Sequence, residues 1–220
     1  MAPVPFTEEW MVAPRAAIRI PRGDVGESLI AGIDTSVPGR LKGRRNWHRE
    51  RYCIAAFMRH LCATAPNVFP AELIRQQSPD FMLVSEVYTR ALAIERTDAS
   101  AVEFQDRLDA EATLSDPEAK FLPPHGSGSA DTWRRDLRSA VQRKSSPNRW
   151  RYSVPGSARC LLAHELMESF MFVDDDEAHL ARGVLADAQS TGIELDCIAV
   201  IRGSEVRVWA GKSAADLLRS

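Results

Sequence analysis

No stretch of this chain approaches the roughly 20 consecutive apolar residues needed to cross a bilayer, so a membrane-spanning protein is not expected. The first residues lack the basic, apolar, small-residue order of a secretory signal. Cysteine is sparse and scattered: Cys53, Cys62, Cys160 and Cys197 form no CxxC pair, which predicts free thiols in a reducing cytoplasm. No repeat period is visible, which excludes a solenoid or propeller. The net charge of −2 is too small for a protein that coats nucleic acid along its whole surface. What remains is an ordinary soluble composition, 45% apolar and 26% charged over 220 residues, enough for one domain with a real core.

The small net charge conceals strong local asymmetry. "GRLKGRRNWHRER" sets Arg40, Lys42, Arg44, Arg45, Arg49 and Arg51 against the lone acid Glu50. A second basic run, "WRRDLRSAVQRKSSPNRWRY", interleaves cations with aromatic residues. Such a track suits a phosphate backbone as well as it suits a solvated face. Residues 1–46 read as an N-terminal extension carrying the basic segment, with a strand at Ala16–Ile20 and no predicted helix; residues 47–220 read as an α/β domain.

From Trp47 to Ala65, Tyr52, Ile54, Phe57, Met58 and Leu61 recur at helical spacing. "FPAELIRQQ" suggests a helical turn with Pro70 at its first position. "FMLVSEVY" and "RALAIER" are short apolar runs that predict a hairpin. Thr97, Asp98 and Ser100 look like caps for a helix over "TDASAVEFQDRLDAEA", followed by a loop at "FLPPHGSGSAD". Trp133, Leu137 and Val141 step by four through a helix ending at Lys144. A strand at "ARCLLAHEL", a helix from Asp174 with an acidic first turn, two strands at "LDCIAVIR" and "EVRVWA", and a short helix at "SAADLLRS" complete the chain. This order implies an α/β fold with a central mixed sheet flanked by helices.

Antiparallel pairing of the hairpin brings Asp80, just before the first strand, to the end where Glu95 closes the second. Two carboxylates at one point suit Mg²⁺, which keeps several waters and often takes only one or two protein ligands beside substrate phosphate oxygens. Asp80 after Pro79 also suits a simple turn. "HELME", by contrast, lacks the second histidine of a zinc-protease HExxH motif.

The run "PDFMLV…ALAIERT" resembles the core of the PD-(D/E)XK nuclease superfamily, a restriction-endonuclease-like fold, over about Trp47 to Leu166. The resemblance places Asp80 at the aspartate position and Glu95 at the acid position, with Thr97 where the lysine usually stands. It implies that Lys144, with Gln142 beside it, supplies the missing cation from a neighbouring helix, and that Glu50 is an extra helix acid in the metal shell. Lys144 also suits a helix C-terminus, and Glu50 a surface pair with an arginine. The implied protein is a Mg²⁺- or Mn²⁺-dependent nuclease, with DNA favoured over RNA, of use in defence, mobile-element biology or repair. Arg44, Arg45, Arg49, Arg143 and Arg149 would contact the nucleic-acid backbone, and many nucleases of this fold act as homodimers. The alternative is a catalytically inactive member of the fold that binds nucleic acid or a protein.

Overall fold

The computed structural model describes residues 5–37, 45–99, 130–165, 174–203 and 205–211. A mixed seven-stranded sheet follows chain order from edge to edge. Its strands are β1 (Ala17–Ile20), β2 (Ala71–Arg75), β3 (Phe81–Ser85), β4 (Leu92–Asp98), β5 (Ala158–Glu165), β6 (Cys197–Arg202) and β7 (Glu205–Ala210). The first four strands form an antiparallel meander, β5 and β6 continue parallel to β4, and β7 turns back against β6.

Helices cover both faces, which is why β4, β5 and β6 read as continuous apolar runs rather than alternating ones. On one face lies α3 (Asn46–Thr64), whose Ile54, Phe57, Met58 and Leu61 join Leu73, Ile94, Leu162 and Ile201 in one core. On the other lie α4 (Ala130–Lys144) and α5 (Asp174–Ser190), where Trp133, Leu137, Val184 and Leu185 pack on Ala93, Leu161 and Ile198.

Three expectations are corrected here. Residues before Arg45 do contain helices, α1 (Glu8–Val12) and α2 (Gly23–Ala31), and their Trp10, Met11 and Ile30 are buried in the α3-side core. Thr7 caps α1, its hydroxyl accepting the Trp10 N–H at 3.4 Å, and Glu8 and Glu9 favour the positive end of the helix. Gly23 and Gly26 bring α2 against α3, because a Cβ on Gly23 would stand 2.9 Å from the Cys62 carbonyl oxygen.

The second correction is "FPAELIRQQ", which is the strand β2 and not a helical turn. Its Ala71 and Leu73 are buried while Glu72 between them is exposed, the alternation of a half-buried strand. Thr97 and Asp98 likewise end β4 and do not cap a helix. Residues 100–112 of the helix expected there, the loop at 121–129, the final helix at 213–220 and Arg44 lie outside the described residues.

Candidate active site

The β3–β4 register decides where the two carboxylates go. Phe81 pairs with Ile94, so Asp80 and Glu95 stand opposite one another one step further along the ladder. The Asp80 N–H donates to Glu95 Oε2 at 3.2 Å, and the Arg96 N–H donates to Asp80 Oδ2 at 2.8 Å. The Glu95 carboxylate is therefore held by the backbone of Asp80, and the Asp80 carboxylate by the backbone of Arg96, the residue after Glu95.

Glu95 points to the α4 side, and there Lys144 meets it: Nζ donates to Glu95 Oε1 at 2.6 Å. Lys144 closes the last turn of α4, which crosses this face because Trp133, Leu137 and Val141 bury on the sheet. Trp150 fixes the helix end, its indole N–H donating to the Lys144 carbonyl at 3.1 Å. Arg149, half exposed, brings Nη1 to 3.8 Å from Glu95 Oε1. The Glu95 side chain is 1% exposed. Burial, then the negative charge of Asp80, pushes its pKa up to about 7, while Lys144 and Arg149 pull the other way.

Glu50 approaches from α3 and is held by Arg75 of β2, whose Nη2 donates to Glu50 Oε2 at 2.8 Å. Arg75 also donates to the Asp80 carbonyl at 2.7 Å and to the Met11 carbonyl at 3.0 Å, and lies 5.1 Å over the Phe81 ring. Burial raises the Glu50 pKa; Arg75 opposes this and Asp80 reinforces it.

Thus Asp80, Glu95 and Lys144 converge, with Arg149 at the rim and Glu50 behind. Gln142 does not join them: it is exposed, and two residues before Lys144 is about 200° around a helix. It lines a depression between α4 and α5 with Arg138 and Asp187. Arg45 pairs with Glu8 at 2.9 Å, and Arg143 donates to the Asp98 carbonyl at 2.7 Å. Thr97, two residues after Glu95, is buried in β4.

Arg49 belongs to a separate polar cluster on the α3 face. Its Nη1 lies 2.8 Å from Asp98 Oδ2, Arg96 pairs with the other Asp98 oxygen, and His164 Nδ1 stands 3.6 Å from that oxygen. Burial would raise the Asp98 pKa, but the His164 contact and the charges of Arg96 and Arg49 outweigh it and hold it at about 2. The sequence reading missed Arg75, placed by an unrecognised strand, and this Asp98 cluster. The alternation in "AELIR" was the signal for the first; Asp98 and His164 carried none, since they meet only through β4–β5 pairing.

Two mutually repelling carboxylates on a rigid hairpin are a fitting seat for one divalent cation of the Mg²⁺ class, whose remaining positions water and phosphate oxygens would fill. Among the described residues no group of three or more His, Cys, Asp or Glu gathers into a closed cage. No described helix is long and apolar enough to cross a membrane. Searches for similar proteins give no further guide: no family model matches the chain, and neither a curated protein nor a solved structure matches it.

Proposed function

We propose that this protein is a Mg²⁺- or Mn²⁺-dependent nuclease of restriction-endonuclease-like type, hydrolysing phosphodiester bonds with DNA favoured over RNA. The observation that carries this reading is the Lys144–Glu95 contact. A cation missing from β4 at Thr97 is delivered to the same carboxylate from the end of α4.

Asp80 and Glu95 would hold the ion, and Glu50, kept in place by Arg75, adds negative potential behind them. The ion, when bound, polarises the scissile phosphate and lowers the pKa of a bound water. Lys144 has three donors and spends one on Glu95, leaving N–H groups to orient water or a phosphoryl oxygen. Among the described residues, Arg149, at the rim, is the best placed of the expected backbone contacts. Arg49 is engaged with Asp98, so its contribution is to the scaffold.

The test is incubation with DNA and RNA in Mg²⁺ or Mn²⁺, comparing the wild type with Asp80→Ala, Glu95→Ala and Lys144→Ala. Cleavage by the wild type that all three variants lose supports the assignment; equal cleavage by wild type and variants removes it. A second reading, a nuclease-fold protein that binds without cutting, draws on the buried Thr97. Binding of nucleic acid with no cleavage under either metal would select it.

A further inference from the structure

Arg75 closes β2 with a side chain that is 15% exposed and reaches three separate parts of the chain. Nε donates to the Met11 carbonyl of α1 at 3.0 Å, Nη1 to the Asp80 carbonyl at 2.7 Å, and Nη2 to Glu50 Oε2 of α3 at 2.8 Å. Main chain doubles the first of these links. The Arg15 N–H donates to the Arg75 carbonyl at 2.9 Å, and the Arg75 N–H donates to the Ala16 carbonyl at 2.7 Å. The segment that leaves α1 is therefore bonded to both polar groups of the Arg75 backbone, and α1 itself to its side chain.

Aromatic contacts run the same way. Trp10 of α1 is fully buried and stacks on the Phe81 ring with centroids 6.4 Å apart, while Phe6 packs on Trp10 at 5.0 Å. Phe81 directly follows Asp80, and the Arg75 guanidinium lies 5.1 Å from its ring. The helix α1 thus touches the residue next to the proposed metal ligand and, through Arg75, reaches that ligand's own carbonyl.

The Asp80 main chain matters because it places both carboxylates. Its N–H holds Glu95 Oε2 at 3.2 Å, and its side-chain Oδ2 accepts the Arg96 N–H at 2.8 Å. Its carbonyl also accepts the Gln76 N–H at 2.9 Å, closing the turn that delivers Asp80 from β2 into β3. A shift of this backbone moves the whole pair, and a misplacement of about 1 Å at a reacting centre costs on the order of 10²-fold in rate. Charge alone does not secure the placement. Arg75→Lys would keep a cation for Glu50, but one ammonium on a flexible stem lacks the planar fork that meets Met11, Asp80 and Glu50 together.

We infer that α1 belongs to the positioning apparatus of the Asp80–Glu95 pair, with Arg75 as the positioning residue that couples the two and Trp10 as the anchor at the far end. This deepens the nuclease reading and rests on it for its catalytic sense, since the pair positioned in this way is the proposed metal seat.

Two variants of the full chain test it, Arg75→Lys and Trp10→Leu. Trp10 Nε1 makes no hydrogen bond among the described residues, so the second variant changes packing alone and leaves the polar contacts of Asp80 in place. Amide hydrogen exchange followed by NMR without metal reads the positioning through the Asp80 and Arg96 N–H groups, while Ile198 and Val200 of β6 report any general loss of stability. In both variants, exchange at Asp80 and Arg96 should accelerate at least fivefold beyond any change at Ile198 and Val200. Mn²⁺ affinity, measured by electron paramagnetic resonance, should fall at least fivefold in both. Exchange at Asp80 and Arg96 that changes only in step with β6 overturns the inference, as does wild-type Mn²⁺ affinity in either variant. Should Arg75→Lys not fold, Trp10→Leu decides by the same two measurements. Failure of the nuclease reading looks different: the wild type binds no Mn²⁺ or cuts nothing, and the exchange pattern still decides whether α1 positions Asp80.

Discussion

Lys144 Nζ lies 2.6 Å from Glu95 Oε1 although 49 residues separate them in the chain. The contact joins the last turn of a helix to the middle of a buried strand, so it reports the packing of α4 on the sheet as much as a local attraction. Replacing Lys144 with methionine keeps the stem and removes the charge, leaving Arg149, at 3.8 Å, as the remaining cation beside Glu95. A buried carboxylate that loses its partner takes up a proton instead of remaining charged. Cleavage should fall on the order of 10²-fold, the usual loss when one positioned donor is removed. Lys144→Arg should retain part of it, and cleavage rates of the two variants side by side check this.

The pH dependence of stability follows from the same carboxylate. Glu95 titrates near the ordinary 4.5 when unfolded and at about 7 when folded, so between these values the folded state binds more protons. Stability contributed by this group should therefore decline as pH rises from 4.5 to 7 and level off above, by on the order of a few kcal/mol. Urea titrations across this range should show the decline in the wild type and a flatter profile in Glu95→Gln. Mg²⁺ favours the ionised form, so its stabilising effect should grow over the same interval and vanish in Asp80→Ala.

Elements with an uninterrupted local pattern were legible in the sequence. The α3 periodicity, the β3–β4 hairpin and the apolar β5 and β6 each declare themselves within a window of about ten residues. The carboxylate pair was legible for the same reason, because hairpin register is local. Short amphipathic pieces were not: α1 spans only five residues, and β2 has one exposed residue between two buried ones. Arg75 therefore went unnoticed although it ties Glu50, Asp80 and Met11 together. Gln142 was grouped with Lys144 by proximity in sequence, and the helix sends the two in different directions.

Two arginines expected to contact nucleic acid should separate cleanly. The Arg49 side chain is 14% exposed and bonded to Asp98, which keeps Arg96 and has His164 nearby. Arg49→Ala should cost about 1–3 kcal/mol of stability, less than the full loss of a buried pair because Asp98 retains a partner. The salt dependence of nucleic-acid binding should stay unchanged. Arg149→Ala should do the reverse, leaving the unfolding midpoint within a degree or so while reducing the slope of log affinity against log salt by about 1. Chemical denaturation and salt-titrated anisotropy on both variants distinguish the roles.

The closeness of α2 to α3 gives a test of how the N-terminal helices support the site. A methyl on Gly23 would lie 2.9 Å from the Cys62 carbonyl oxygen, a backbone atom that moves only with α3 itself. A methyl on Gly26 would lie 2.7 Å from Cys62 Sγ and 2.9 Å from Ile20 Cγ2, both side-chain atoms. Overpacking of this kind costs about 1–3 kcal/mol, against a gain in helix propensity of at most about 1 kcal/mol for Gly→Ala. Both variants should be destabilised. Adding Cys62→Ala removes the sulfur and should recover part of the loss at Gly26→Ala, but none at Gly23→Ala, where the clash is with backbone. Because α3 carries Arg49 and Glu50, any shift of that helix should also lower the cleavage rate of Gly23→Ala at temperatures where it remains folded. Recovery of Gly23→Ala by the cysteine change would mean that the helices meet through side chains alone.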